Sequence, residues 1–295
     1  MTSQLADVAR VTQRLAVLLA AGVAPASAWS HVAHDCLSPV PRAVAAAPAI
    51  PAAIAEAAAA RAPLEAQAWL GLAAAWAVAT DAGAPLAPSL ASYAASLRSL
   101  AQTQRDVRVA LAGPIATARL VMLLPVVGVV FGLALGFNTL GTLFTTVPGW
   151  VCLAVGGGLL LAARSWNRRL VASAQPKDAT PGLDFDLAAI AVSGGGSLER
   201  ALAVVREAGD AFGVRIGDLS AVLDLSRRAG VPAGELLRSE AEEARREASA
   251  TAREGAEALA VRLMLPLGLC ILPAFMALGV FPLLISVISS TVGGF

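Results

Sequence analysis

The chain has 295 residues, 57% of them hydrophobic and only 15% charged, with a mean hydropathy of +0.70. Soluble globular domains carry about a quarter charged residues, so an ordinary soluble protein is excluded. A net charge of +1 without clustered Lys and Arg gives no basis for nucleic-acid binding, which needs basic side chains gathered on one face.

In chain order, Arg10 and Arg14, then Leu15–Val23, then Ala26-Ser27-Ala28 imitate the basic region, apolar core and cleavage site of a signal peptide. The same stretch reads better as the first copy of a repeat. Four times, a Gly-led turn joins two apolar-periodic segments. The turns fall at Gly22-Val23-Ala24-Pro25, Gly83-Ala84-Pro85, Gly194-Gly195-Gly196-Ser197 and Gly230-Val231-Pro232. Gly ends helices in the left-handed conformation and Pro suits the first turn of the next helix. Each unit therefore predicts a helical hairpin, with Gly22, Gly83, Gly194 and Gly230 as structural turns. Two hairpins lie in residues 1–118, a first helical-bundle domain, and two in residues 186–262, a second. Between the first two hairpins, Ser38–Pro63 is rich in Ala and Pro and fits either a loop or a short interrupted helix.

After the second hairpin of each half, a long amphipathic helix is expected. Leu90, Ala94, Leu97, Ala101, Gln104 and Leu111 follow heptad-like spacing, as do Leu237, Ala241, Ala244, Ala248 and Leu259. Asp, Glu, Lys and Arg are absent between Arg119 and Arg164 and again after Arg262. A membrane-crossing helix needs about 20 apolar residues. Residues 119–163 thus predict a transmembrane hairpin, Leu120–Phe137 and Val147–Ala163, broken by the polar turn from Asn138 to Gly149. Residues 164–185 form a linker, clearest at Ala172–Asp184. Residues 263–295 contain Pro266, Pro273 and Pro282 and predict one tilted or kinked span. The fold class is an all-α integral membrane protein with about three spans in the lipid bilayer.

Arg98, Arg105, Arg108 and Arg119 precede the first span, Arg164, Arg168, Arg169 and Lys177 follow the second, and Arg245, Arg246, Arg253 and Arg262 precede the third. Cytoplasmic flanks are enriched in Lys and Arg. The expected orientation places both helical domains in the cytoplasm, with the 138–149 turn and the C-terminus outside a plasma membrane.

Chemistry-bearing motifs are sparse. His31, His34, Asp35 and Cys36 have one-turn spacing, but a metal site there is disfavoured with only two His in the chain. Cys36, Cys152 and Cys270 suggest no disulfide framework. Gly194-Gly195-Gly196 lacks the Lys-Ser/Thr of a phosphate loop; Ser197 as N-cap with Glu199 in the first turn explains it. Catalytic residues, metal and cofactors are therefore expected to be absent. Gly128, Gly132, Gly136 and Gly156-Gly157-Gly158 allow close approach of helices within the membrane. The charged faces around Arg227, Arg228, Glu240, Glu243 and Arg246 read first as solvated surface opposite a bundle core, and second as a docking face.

The order of these features resembles the type II secretion F family, the polytopic platform proteins of secretion systems and of type IV and Tad (tight adherence) pili. The first half, through Ala112–Arg119 and Leu123-Leu124-Pro125, is similar to the B-type Tad platform. The second half, through Ala229-Gly230-Val231-Pro232 and Arg262–Pro266, is similar to the C-type partner. The resemblance implies a non-enzymatic platform that binds a cytoplasmic secretion ATPase and contacts pilin subunits; an oligomeric platform is expected, and Arg227, Arg228, Glu240, Glu243 and Arg246 are the candidate surface facing that ATPase. A transporter or permease subunit is the alternative, although such pathways carry ionisable residues within the membrane and these spans carry none.

Overall fold

A computed structural model describes residues 4–36, 38–136, 139–173 and 180–292. Described residues are helical or irregular, with no strand among them. They fall into two compact units: residues 1–105 with 176–251, and residues 106–175 with 252–295.

The first unit begins with α1 (Gln4–Ala20) and α2 (Pro25–Asp35). The stretch that imitates a signal peptide is spent on this hairpin, with Leu15, Ala28 and Trp29 in the core. The ambiguous Ala/Pro segment is two short helices, α3 (Pro39–Ala45) and α4 (Ile50–Ala58). Both carry Pro in the first turn, where the missing N–H has no intrahelical partner to lose. Next come α5 (Pro63–Asp81) and α6 (Leu86–Ala134), whose residues up to 105 belong here. α5 is buried over much of its surface, through Ala68, Trp69, Leu72, Ala75, Trp76 and Ala79. An Ala-rich helix hydrophobic on all sides is a helix meant for the middle of a bundle. Small side chains let its neighbours approach closely, and Trp76 meets Trp29 at 5.9 Å between ring centroids.

α9 (Leu183–Ser193), α10 (Leu198–Phe212), α11 (Ser220–Ala229) and the first part of α12 (Ala233–Arg262) complete the unit. Separate helical domains at 1–118 and 186–262 are the sequence expectation; the compact units divide the chain differently. Leu183, Leu187, Ile190, Ala201 and Val205 share one core with α1 and α5, because α5 has too little exposed surface to form the edge of a closed domain. A smaller cluster joins Ala188 and Ala189 to Leu219, Leu223 and Leu237.

Three of the four expected glycine turns have positive φ at Gly22, Gly83 and Gly230. In the remaining turn the left-handed residue is Gly195, at φ +79°. Gly194 is right-handed, its N–H donating to the carbonyls of Ala191 and Val192. Gly194 is small for another reason: a Cβ there would lie 2.0 Å from the carbonyl oxygen of Ala82. The end of α9 thus presses on the end of α5. Ser197 caps α10, accepting from the N–H of Arg200 at 3.2 Å.

In the second unit, α6 continues from Asp106 to Ala134 and closes on Gly136 at φ +85°. The expected span end at Phe137 and the break at Asn138 lie outside the described residues, as do Lys177 and Phe295. Much of the expected 138–149 turn is a short helix, α7 (Thr139–Thr145). Thr146 then starts α8 (Val147–Ser173), its hydroxyl oxygen accepting from the N–H of Gly149 at 3.1 Å, so a threonine that read as a turn former acts as a cap. The last segment runs as α13 (Met264–Pro266), a π turn (Leu267–Ile271), α14 (Leu272–Phe275), a second π turn (Met276–Val280) and α15 (Phe281–Val292). Among the described residues, three helices are long and apolar enough to cross a membrane: Leu86–Ala134, Val147–Val171 and Ala233–Ile285. The third is the hub: 33% of its apolar window is buried, against 11% and 17% for the others.

Replacing Gly194 by Ala forces two backbones apart, whereas Gly195→Ala meets no atom within 4 Å and costs only left-handed strain of about 1 kcal/mol. Thermal melting in detergent should show Gly194→Ala as clearly the more damaging of the two. Equal losses would contradict the close approach of α5 and α9.

Candidate partner interface and membrane surface

The charged face expected to dock a partner lies on α11 and α12, within the first unit. Arg227 and Arg228 sit in the last turn of α11. Arg227 Nη1 is 3.5 Å from Asp224 Oδ1, and Arg228 Nε donates to the Asp224 carbonyl at 3.3 Å. The turn that follows is closed by Ser226, whose hydroxyl donates to the Val231 carbonyl at 2.7 Å. On α12, Arg246 bridges Glu243 at 2.8 Å and Glu242 at 3.0 Å. Glu240 is exposed on the same helix. Among the described residues no ion pair links the α11 group to the α12 group, so the structure brings Glu243 and Arg246 together and leaves Arg227 and Arg228 as a separate basic corner. Exposed pairs of this kind contribute about 0–1 kcal/mol, so their charges are available to a partner at small cost to the fold. Leu225, also exposed, adds an apolar side chain beside that corner.

A second polar cluster was not foreseen from the sequence. Asp186 on α9 is buried, and its Oδ2 accepts from Arg245 Nη1 at 2.8 Å and from Ser96 Oγ at 3.2 Å. One carboxylate therefore joins α6, α9 and α12. Burial raises its pKa above the ordinary carboxylate range, opposed by Arg245 and the two hydrogen bonds. Tyr93 is buried nearby and donates to the Ala68 carbonyl at 2.7 Å; burial, with the Asp186 charge, raises its pKa too. The available signal was an acidic residue inside the apolar run Phe185-Asp186-Leu187, a charge that folds inward only with a partner. Further along the same two helices, the hydroxyls of Thr103 on α6 and Ser249 on α12 meet at 2.9 Å.

A cavity of about 610 Å³ opens in the first unit between Gln67 and Leu70 of α5, Pro181, Asp184, and the extended segment carrying Arg215 and Ile216. Asp184 is engaged there, accepting from the Gly217 N–H at 3.1 Å. His31, His34, Asp35 and Cys36 form no metal-binding group: among the described residues no set of three or more His, Cys, Asp and Glu is placed to hold an ion. His34 Nδ1 instead contacts the Ser30 carbonyl at 2.7 Å.

The second unit presents the membrane surface. Leu120, Val127, Phe131, Val151, Leu161 and Leu269 are all more than half exposed. Contiguous apolar area on this scale is stable only against lipid or another apolar protein face. Between its helices, Gly128 approaches Phe275 and Gly279, and Gly156 lies under Leu278. Gly157 and Gly158 face open space. Below the spans, Asp106 and Arg253 pair at 2.8 Å, and Leu111, Ala256, Leu259 and Leu263 form a small core.

A polytopic helical membrane protein with exposed charged helices is the class these features define. Residues 11–134 match the family model for type II secretion system (T2SS) protein F. Over that stretch, from within α1 to the end of α6, the chain carries a domain of the type II secretion F family. That match supports a membrane platform protein of secretion and pilus machinery. No curated protein and no solved structure matches the chain.

Removing one partner of a buried pair leaves an uncompensated charge at a cost of about 3 kcal/mol or more. Arg245→Met should lower stability by that amount, and adding Asp186→Asn should restore most of it. Because a raised pKa lets the folded state hold its proton as the unfolded state loses it, the Arg245→Met deficit should shrink as pH falls from 7 toward 5. Denaturant unfolding of the two variants at both pH values checks this; a pH-independent deficit without rescue would contradict it.

Proposed function

We propose that the chain is a Tad-type platform that couples a cytoplasmic secretion ATPase to the assembly of pilin subunits from the membrane. The F-family domain at residues 11–134 carries this reading. Supporting it are three apolar helices of membrane-crossing length and spans without ionisable side chains, which suit a scaffold better than a transport pathway. Movement would enter through the cytoplasmic helices and leave through the spans, where apolar pilin helices could pack. The chain itself supplies no energy-yielding chemistry in this scheme; the ATPase does. Such a platform works as a homo- or hetero-oligomer in the plasma membrane.

The orientation follows from basic flanks: both helical segments cytoplasmic, and the α7–α8 junction and the C-terminus outside. In a cysteine-free background, an impermeant maleimide added to intact cells should label Thr145→Cys and spare Ala229→Cys. Both positions are exposed, so the reverse pattern would invert the topology.

The basic corner of α11 is the proposed ATPase contact. Like charges forced together across an interface cost several kcal/mol. Arg227→Glu with Arg228→Glu should therefore weaken binding of the purified ATPase by about tenfold or more, with helicity and membrane insertion unchanged. Unaltered affinity would remove this corner from the interface, and nucleotide hydrolysis by the chain alone would overturn the platform reading.

A further inference from the structure

The third span is built unlike the other two. Its two π turns, Leu267–Ile271 and Met276–Val280, are nine residues apart, and each is followed by one residue and then a proline, Leu272-Pro273 and Phe281-Pro282. In both cases the residue before the proline donates its N–H five residues back, Leu272 to the Leu267 carbonyl and Phe281 to that of Met276. The sequence repeats at the same interval: Gly268, Leu269, Cys270, Ile271 and Pro273 align with Ala277, Leu278, Gly279, Val280 and Pro282. A proline lacks an N–H and its ring collides with the carbonyl four residues earlier. A widened turn relieves the collision and leaves fewer backbone hydrogen bonds resisting a bend.

The neighbouring spans meet the third along both of these turns and along α14 between them. At the first, Val121 and Met122 of α6 and Ala163 of α8 pack with Leu267, Cys270 and Ile271. At the second, a Cβ on Gly128 would lie 3.0 Å from the Phe275 ring and 3.5 Å from the Gly279 Cα, and one on Gly156 would lie 2.4 Å from Leu278. The weak points of the backbone therefore lie within the contact surface of the three-helix unit.

We propose that the third span is a double hinge, pivoting at its two π turns, so that bending it repositions the first and second spans together. α14 (Leu272–Phe275) is the rigid piece between the pivots. The prolines fix where the helix bends, and the small residues Gly128, Gly156 and Gly279 let the packed layers slide as it does. The hinge is a property of the second unit alone and stands whether or not an ATPase engages the chain.

Pulsed electron-spin distance measurement on the full chain tests it, in nanodiscs of phosphatidylethanolamine and phosphatidylglycerol, with Cys36, Cys152 and Cys270 replaced by Ala. Nitroxides at Val261→Cys and Ile288→Cys, both exposed, bracket the hinges at about 40 Å by helical rise. A reference pair at Val151→Cys and Trp166→Cys lies within α8. With the prolines present, the hinge pair should give a distribution at least twice as broad as the reference pair. Pro273→Ala with Pro282→Ala should narrow it to the reference width, and each single variant should fall between. A narrow hinge-pair distribution with all prolines intact overturns the proposal without recourse to any proline variant. Equal breadth before and after proline removal, with the reference pair unchanged, overturns it as well.

Discussion

Asp186 is the one charged side chain that the structure buries among the described residues, and the arrangement of the first unit turns on it. A lone carboxylate in an apolar core is prohibitively unfavourable, so α9 can occupy its place only with Arg245 of α12 and Ser96 of α6 beside it. Those two helices also supply the first and third spans. The contact thus sets the register of α6 and α12 within the first unit. The Thr103–Ser249 hydrogen bond repeats the α6–α12 contact in the same unit, and Asp106–Arg253 joins the same two helices within the second. Polar groups that need partners specify register, where apolar stripes of Ala and Leu would tolerate a slip.

The second unit obeys the opposite rule. Hydrocarbon offers no hydrogen-bond partners, so a spanning segment must satisfy its own backbone, and the side chains outside can be uniformly apolar. Close packing there comes from missing side chains, at Gly128, Gly156 and Gly279. Relief of proline collisions falls to widened turns in the third span.

Much of this was legible in sequence because it depends on local rules. Absence of charge marked the spans, and Gly-Pro spacing marked the helical hairpins. Gly22, Gly83 and Gly230 adopt the left-handed conformation that ends a helix; Gly194 does not, because a contact with Ala82, more than a hundred residues away, uses its smallness instead. Long-range pairing is what composition and periodicity do not carry. For the same reason Asp186–Arg245 was missed, as was the core that α5 shares with α9: α5 is a helix rich in alanines, whose pattern does not say which neighbours it covers. The α11–α12 face was legible as charged but not as bound, since solvated and docked faces share one composition.

The central claim is that this chain transmits work done elsewhere. Deleting it in its own cell, while quantifying surface pilins by whole-cell immunoblot, tests that most directly. The account predicts that surface pilins fall to background while cellular pools of pilin and ATPase persist, with recovery when the intact chain is restored. Surface pilins at normal levels in its absence would contradict the account.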